Sequence, residues 1–95
     1  MTDLREKRVL VAEDDYFLAQ DIKEQISRIG ATVIGPAASL ATAFALARTQ
    51  PIDLAILDIN LGGKMCFPIA AMLSKRGIPY FFVTGHLCRL RGPAS

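Results

Sequence analysis

The chain contains no tryptophan, one histidine and only two cysteines. Cys66 and Cys88 lack metal-ligand spacing, and even with His86 they cannot supply the four nitrogen or sulfur ligands of a structural zinc site. They read as reduced thiols of a cytosolic protein. Nothing at the start resembles a secretory leader, since Met1 to Arg8 is charged and no apolar core follows. Long hydrophobic runs are scarce too. The longest uncharged stretch, 29–47, includes Gly30, Gly35, Pro36 and Ser39, and does not read as a membrane helix. Acids are missing from the C-terminal part: all nine lie in residues 1–58 beside six bases, whereas 59–95 carry five bases and no acid. The net charge of +2 is too small to imply nucleic acid or a membrane surface. Secretion, membrane insertion and phosphate chemistry through His or Cys are all disfavoured.

What is present is enough for one domain. Of 95 residues, 52% are hydrophobic and 21% charged, so the chain can bury a core and is not intrinsically disordered. Val9-Leu10-Val11-Ala12 reads as a strand buried on both faces. After Glu13-Asp14-Asp15, Leu18, Ile22, Ile26 and Ile29 recur with helical spacing, and Gly30 stands where a helix-ending glycine belongs. Ala31-Thr32-Val33-Ile34 forms a second expected strand, ended by Gly35-Pro36. Ser39 is placed to cap a helix carrying Leu40, Phe44 and Ala47, which Gln50-Pro51 ends. Leu54-Ala55-Ile56-Leu57 is a third strand, stopping at Asp58, and Asn60-Leu61-Gly62-Gly63-Lys64 reads as a loop. Pro68 suits the first turn of a third helix lined by Ile69, Met72 and Leu73 and ended by Gly77. A fourth strand spans Pro79-Tyr80-Phe81-Phe82-Val83 and ends at Thr84-Gly85. The resulting βαβαβαβ order predicts a parallel sheet with helices on both faces. Residues 86–95 form an irregular tail to a single domain spanning 1–95.

In parallel α/β sheets, ligands bind beyond the carboxyl ends of the strands. Here the first strand ends in Glu13 and Asp14, the third in Asp58 and the fourth in Thr84. If the first and third strands are neighbours, three carboxylates crowd one rim and raise each other's pKa unless a cation neutralises them. Mg²⁺ suits such a rim, because it takes carboxylate oxygens, keeps waters and shares phosphate oxygens. The competing reading is helix capping by Asp14 or Asp15. Capping does not account for Asp58, which directly follows an apolar strand.

Three segments carry a family resemblance: Val9-Leu10-Val11-Ala12-Glu13-Asp14-Asp15, Asp53-Leu54-Ala55-Ile56-Leu57-Asp58-Ile59-Asn60-Leu61 and Phe82-Val83-Thr84-Gly85. They resemble the receiver domain of two-component response regulators over residues 7–85. The resemblance implies a flavodoxin-like, doubly wound sheet, here of order 2-1-3-4 with the fifth βα unit missing. It implies that Asp58 accepts a phosphoryl group from a sensor histidine kinase or phosphotransfer protein. Glu13, Asp14 and Asp58 would hold Mg²⁺ together with the backbone carbonyl of Asn60, and Thr84 would be the switch hydroxyl. Such a protein is cytoplasmic and is a phosphoacceptor rather than an enzyme, with at most slow Mg²⁺-dependent self-phosphorylation and dephosphorylation.

Eleven residues follow Thr84, and among them are neither the family's fifth-strand lysine nor its aromatic switch residue. A second reading is therefore a degenerate receiver that serves as a dimerisation or docking module without phosphorylation. A magnesium phosphatase is disfavoured because position 60 is Asn where such enzymes want a second acidic residue. DNA binding within the chain is disfavoured for lack of room for a helix-turn-helix after residue 85. Without a fifth strand, the uncharged Tyr80-Phe81-Phe82-Val83 would lie on a sheet edge. A homodimer through residues 78–90 is the expectation.

Overall fold

The computed structural model describes residues 4–83. Strand β1 (Arg8–Ala12) leads into helix α1 (Tyr16–Arg28), strand β2 (Thr32–Ala37), helix α2 (Leu40–Thr49) and strand β3 (Leu54–Asp58). A short hairpin follows, β4 (Asn60–Leu61) and β5 (Lys64–Met65), then helix α3 (Phe67–Lys75) and strand β6 (Tyr80–Val83). The main sheet is parallel throughout, in the order β2-β1-β3-β6. This is the doubly wound arrangement expected, β6 being the fourth strand of the sequence reading.

Strand alternation divides the core in two. Leu10, Ala12, Ala55 and Leu57 point to one face, where Ala43, Ala47, Ile69 and Leu73 of α2 and α3 cover them. Val9 and Val11 point to the other, against Ile26 of α1 and Ala31. β1 is buried on both faces because it lies between two strands and two helix layers, hence its unbroken apolar run. Arg76, at the end of α3, donates from one guanidinium nitrogen to the carbonyls of Ala47 (2.6 Å) and Gln50 (2.9 Å), tying α3 to the last turn of α2.

Ser39 caps α2 as expected, and of the two acids that could have capped α1 it is Asp15 that does so. The Asp15 carboxylate accepts from the Leu18 N–H at 3.1 Å, and the Ser39 hydroxyl accepts from the Thr42 N–H at 3.2 Å. Gly30, at φ 86°, reverses the chain after α1.

Three local expectations are corrected. β2 does not stop at Gly35-Pro36 but runs through it to Ala37. The Leu10↔Ile34 pairing slips to Ala12↔Ala37, so the strand absorbs an extra residue. Proline is tolerated because β2 lies at the edge of the sheet, its outer side forming no ladder among the described residues. Ile29 does not continue the α1 stripe; it is the C-cap residue and 49% exposed. Residues 60–64 are not an irregular loop but the core of the β4–β5 hairpin, with Asn60 opposite Met65 and Leu61 opposite Lys64. Its two-residue turn has positive φ at both Gly62 (59°) and Gly63 (82°), the geometry whose twist matches an antiparallel pair. Among the described residues, no helix is long and apolar enough to cross a membrane.

Candidate functional site

β1 and β3 are neighbours, with Ala12 opposite Leu57. The residues after these partners are Glu13 and Asp58, so two carboxyl groups emerge side by side at the carboxyl edge of the sheet. Asp14 joins them: one carboxylate oxygen from each of the three lies within 4.8 Å of the others. Glu13 is 2% exposed and Asp58 6%, whereas Asp14 is open to solvent. Asp15 stands apart as the α1 cap. Capping therefore explains Asp15 and leaves the other three.

Backbone donors hold each carboxylate. The Asp15 N–H donates to Glu13 Oε2 (3.0 Å), the Asn60 N–H to Asp58 Oδ1 (3.2 Å), and the Gly62 N–H to Asp14 Oδ2 (2.9 Å). Two further contacts fix the frame, from the Ile59 N–H to the Val83 carbonyl (3.1 Å) and from the Cys66 N–H to the Ile59 carbonyl (2.8 Å). Glu13 Oε1 is the exception: it is buried and no N–H donates to it, which leaves the Glu13 carboxyl only the neighbouring Asp58 carboxyl to share a proton with. A buried oxygen left without a donor is costly.

The electrostatics follow. Burial pushes the Glu13 carboxyl up to about 7; the Asp15 N–H opposes this, and the nearby Asp58 and Asp14 reinforce it. Asp58 is raised as well, chiefly by burial; a side-chain hydrogen bond with Glu13 and then the Asn60 N–H act against the rise, and the Asp14 charge adds to it. Cys66 lies fully buried beneath this rim; burial first and the Asp58 charge second push its thiol up, so it stays protonated and unreactive.

The residues fit a divalent cation. They offer three carboxylates with oxygens within reach of one another, two of them buried and crowded together. The sequence reading of Glu13, Asp14 and Asp58 as one cluster matches where the structure puts them. Asn60 adjoins it through its N–H. Thr84 lies outside the described residues, as does the 86–95 tail; Val83, just before Thr84, pairs with Asp58 in the β3–β6 register. The sequence reading missed the Gly62 N–H that holds Asp14. The adjacent glycines Gly62-Gly63 between Leu61 and Lys64 were the available signal for a tight hairpin.

A parallel α/β sheet with an acid cluster at the carboxyl ends of adjacent strands defines a flavodoxin-like protein with a candidate cation site at its switch point. Comparison with solved structures narrows the class. The receiver domain of HemR from Leptospira biflexa is 33% identical and superimposes with a TM-score of 0.74, covering 90% of this chain and 73% of that one. SdrG from Sphingomonas melonis Fr1 is 34% identical with a TM-score of 0.75, over 86% of this chain and 69% of that one. The response regulator PhyR from Brucella abortus is 26% identical with a TM-score of 0.77; 96% of this chain matches, but only 39% of PhyR. No family model matches the sequence, and no curated protein is significantly similar to it. The chain belongs to the receiver domains of response regulators.

Proposed function

We propose that the chain is a phosphoacceptor receiver: one domain over 1–95, with a divalent cation, Mg²⁺ by its chemistry, held by Glu13, Asp14 and Asp58 and by the Asn60 carbonyl. The observation that carries this reading is a triad of carboxylates, two of them buried, in which Asp58 ends an interior strand. When bound, the cation supplies positive charge facing the oxygens of an incoming phosphoryl group.

Asp58 is the nucleophile in this reading. Its Oδ1 is held by the Asn60 N–H, leaving Oδ2 to attack phosphorus. An O–P bond forms, the N–P bond of a phosphohistidine breaks, and the departing imidazole takes a proton. Positioning by rigid strand ends does most of this work. Thr84 is assigned the switch hydroxyl that senses the phosphoryl group. SdrG has also been solved in a BeF₃-activated conformation, which supports a phosphoryl-responsive site in this family.

The partner class is a histidine kinase or phosphotransfer protein of the cytoplasm. Tyr16 and Phe17, 68% and 82% exposed, begin α1 just after the acids and give the rim an apolar flank for a protein surface. A homodimer through residues 78–90 is part of the proposal. It rests on the uncharged β6 edge, which among the described residues is bonded to β3 alone. The same edge supports the second reading, a docking module without phosphorylation.

Incubation with acetyl phosphate and Mg²⁺, followed by intact-mass analysis, separates the two. Wild type is expected to gain one phosphoryl group, and Asp58→Asn or omission of Mg²⁺ to abolish the gain. Equal uptake by wild type and Asp58→Asn rejects Asp58 as acceptor, and no uptake by either favours the docking module.

A further inference from the structure

The β4–β5 hairpin meets the acid cluster twice, through the Asn60 N–H to the nearby Asp58 and, across 48 residues of sequence, through the Gly62 N–H to Asp14 Oδ2 at 2.9 Å. Its strands are well anchored. Leu61 is 1% exposed in the core shared by α2 and α3, and Cys66, directly after β5, bonds to the Ile59 carbonyl. Its turn is not. A Cβ built on Gly62 would meet only the Ala38 carbonyl, at 4.0 Å, and one on Gly63 would meet nothing within 4 Å. The Gly62–Gly63 turn is thus held over the rim by a hydrogen bond to an exposed carboxylate, with almost no packing.

We infer that this turn is a positioning element of the cation site, so that cation occupancy and hairpin order are coupled through the bond from Gly62 to Asp14. The inference rests on the reading of Glu13, Asp14 and Asp58 as a cation site, a reading that the crowding of two buried carboxyls with a third supports independently of the hairpin. Asp14 is the one solvent-exposed carboxylate of the three, so its rotamers are the least restricted by packing. Fixing its Oδ2 to a backbone donor leaves Oδ1 for the cation. Donors behind ligating carboxylates typically change metal affinity by 10–100-fold when removed. Linkage makes the coupling reciprocal: whatever factor the turn adds to cation affinity, the cation adds to the closed state of the turn. Cation loading would then order a surface beside the start of α2, where Gly62 and Lys64 share a cleft with Ala38 and Ser39. That surface is remote in sequence from Thr84 and gives the site a second readout.

The test uses the whole chain and Mn²⁺ as probe, with affinity read from water-proton relaxation. Gly62→Pro has no N–H to donate and cannot adopt φ 59°. Gly62→Asn keeps the donor and tolerates that φ. Gly62→Pro is expected to weaken Mn²⁺ by about 10-fold, with Gly62→Asn within about two-fold of wild type. In wild type, Mg²⁺ should slow exchange of the Gly62 amide by a factor of the same order, and leave the Gly77 amide, bonded to Ser74 at the end of α3, far less affected. This second measurement decides the matter alone if Gly62→Pro does not fold. Mn²⁺ affinity unchanged in a folded Gly62→Pro, or Gly62 exchange indifferent to Mg²⁺, overturns the coupling while leaving the cation site intact. Failure of wild type to bind Mn²⁺ overturns the site reading and the coupling with it.

Discussion

At the residue scale, the chemistry is that of two carboxyl groups kept out of water. Glu13 ordinarily titrates near 4.5 and is pushed to about 7 in the fold. The folded state therefore holds this proton more tightly than the unfolded chain does. Glu13's contribution to stability is complete below pH 4.5 and is lost as pH rises through 7. Asp58 is shifted in the same direction. Without divalent cation, folding stability is expected to fall between pH 5 and 8 by an amount on the order of 2 kcal/mol, and the melting temperature with it. Mg²⁺ should flatten that slope and bind more tightly as pH rises, because it competes with the proton. Glu13→Gln should remove most of the slope and weaken the cation. Thermal melts across this range with and without Mg²⁺ check it; a slope unchanged in Glu13→Gln would assign it elsewhere. Asp58→Asn keeps an acceptor for the Asn60 N–H while removing one repelling charge. A cation-free variant more stable than wild type is expected.

At the element scale, what could be read in advance depended on whether a signal was local. Caps are local: Asp15 and Ser39 each bond a backbone N–H three residues on; the Ser39 cap was legible, while at α1 the adjacent acids left Asp14 and Asp15 as alternatives. Asp15→Ala should cost about 1 kcal/mol, measurable by urea denaturation. Buried strands announce themselves by unbroken apolar runs, so β1 and β3 were legible together with the acids that end them. β2 was misread because Gly35-Pro36 stops an interior strand but not an edge strand, and edge status is a property of the sheet. The carboxylate triad was anticipated because one strand order places Glu13 beside Asp58. The Gly62 bond to Asp14 was not, since it joins a turn to a residue 48 positions away. The local Gly-Gly pattern predicts the turn but not its target.

At the scale of the whole molecule, the two edges of the sheet formed by the described residues differ. β2 carries a register slip, Gly35 and Pro36, irregularities that discourage pairing with another chain. β6 has four uncharged residues in regular register with β3, and its Phe81 is 61% exposed. On the α1 face, Ile56 and Val83 with Leu18 and Ile22 line one cleft, and Leu54, Pro79 and Phe81 with Leu4 line another. That face is only partly covered by the described residues. Association of the 95-residue chain in the micromolar range is expected by sedimentation, and Phe81→Lys should shift it toward monomer without unfolding it. A monomeric wild type would remove the dimer from the proposal.

The adjacency of β1 and β3 also has a kinetic consequence. β1 meets β2 across α1 alone, but Glu13 and Asp58 become neighbours only when β3 docks, after α2 has been crossed. That docking closes a longer loop than the β1–β2 pairing does, and we expect it after the folding barrier. A cation that relieves the repulsion of Glu13 and Asp58 acts mainly on interactions formed beyond that barrier. Mg²⁺ should slow unfolding several-fold while leaving the folding rate nearly unchanged. Stopped-flow chevrons with and without Mg²⁺ should then show the unfolding arm displaced downward and the folding arm superimposed. A chevron shifted mainly on its folding arm would instead place the meeting of Glu13 and Asp58 before the barrier.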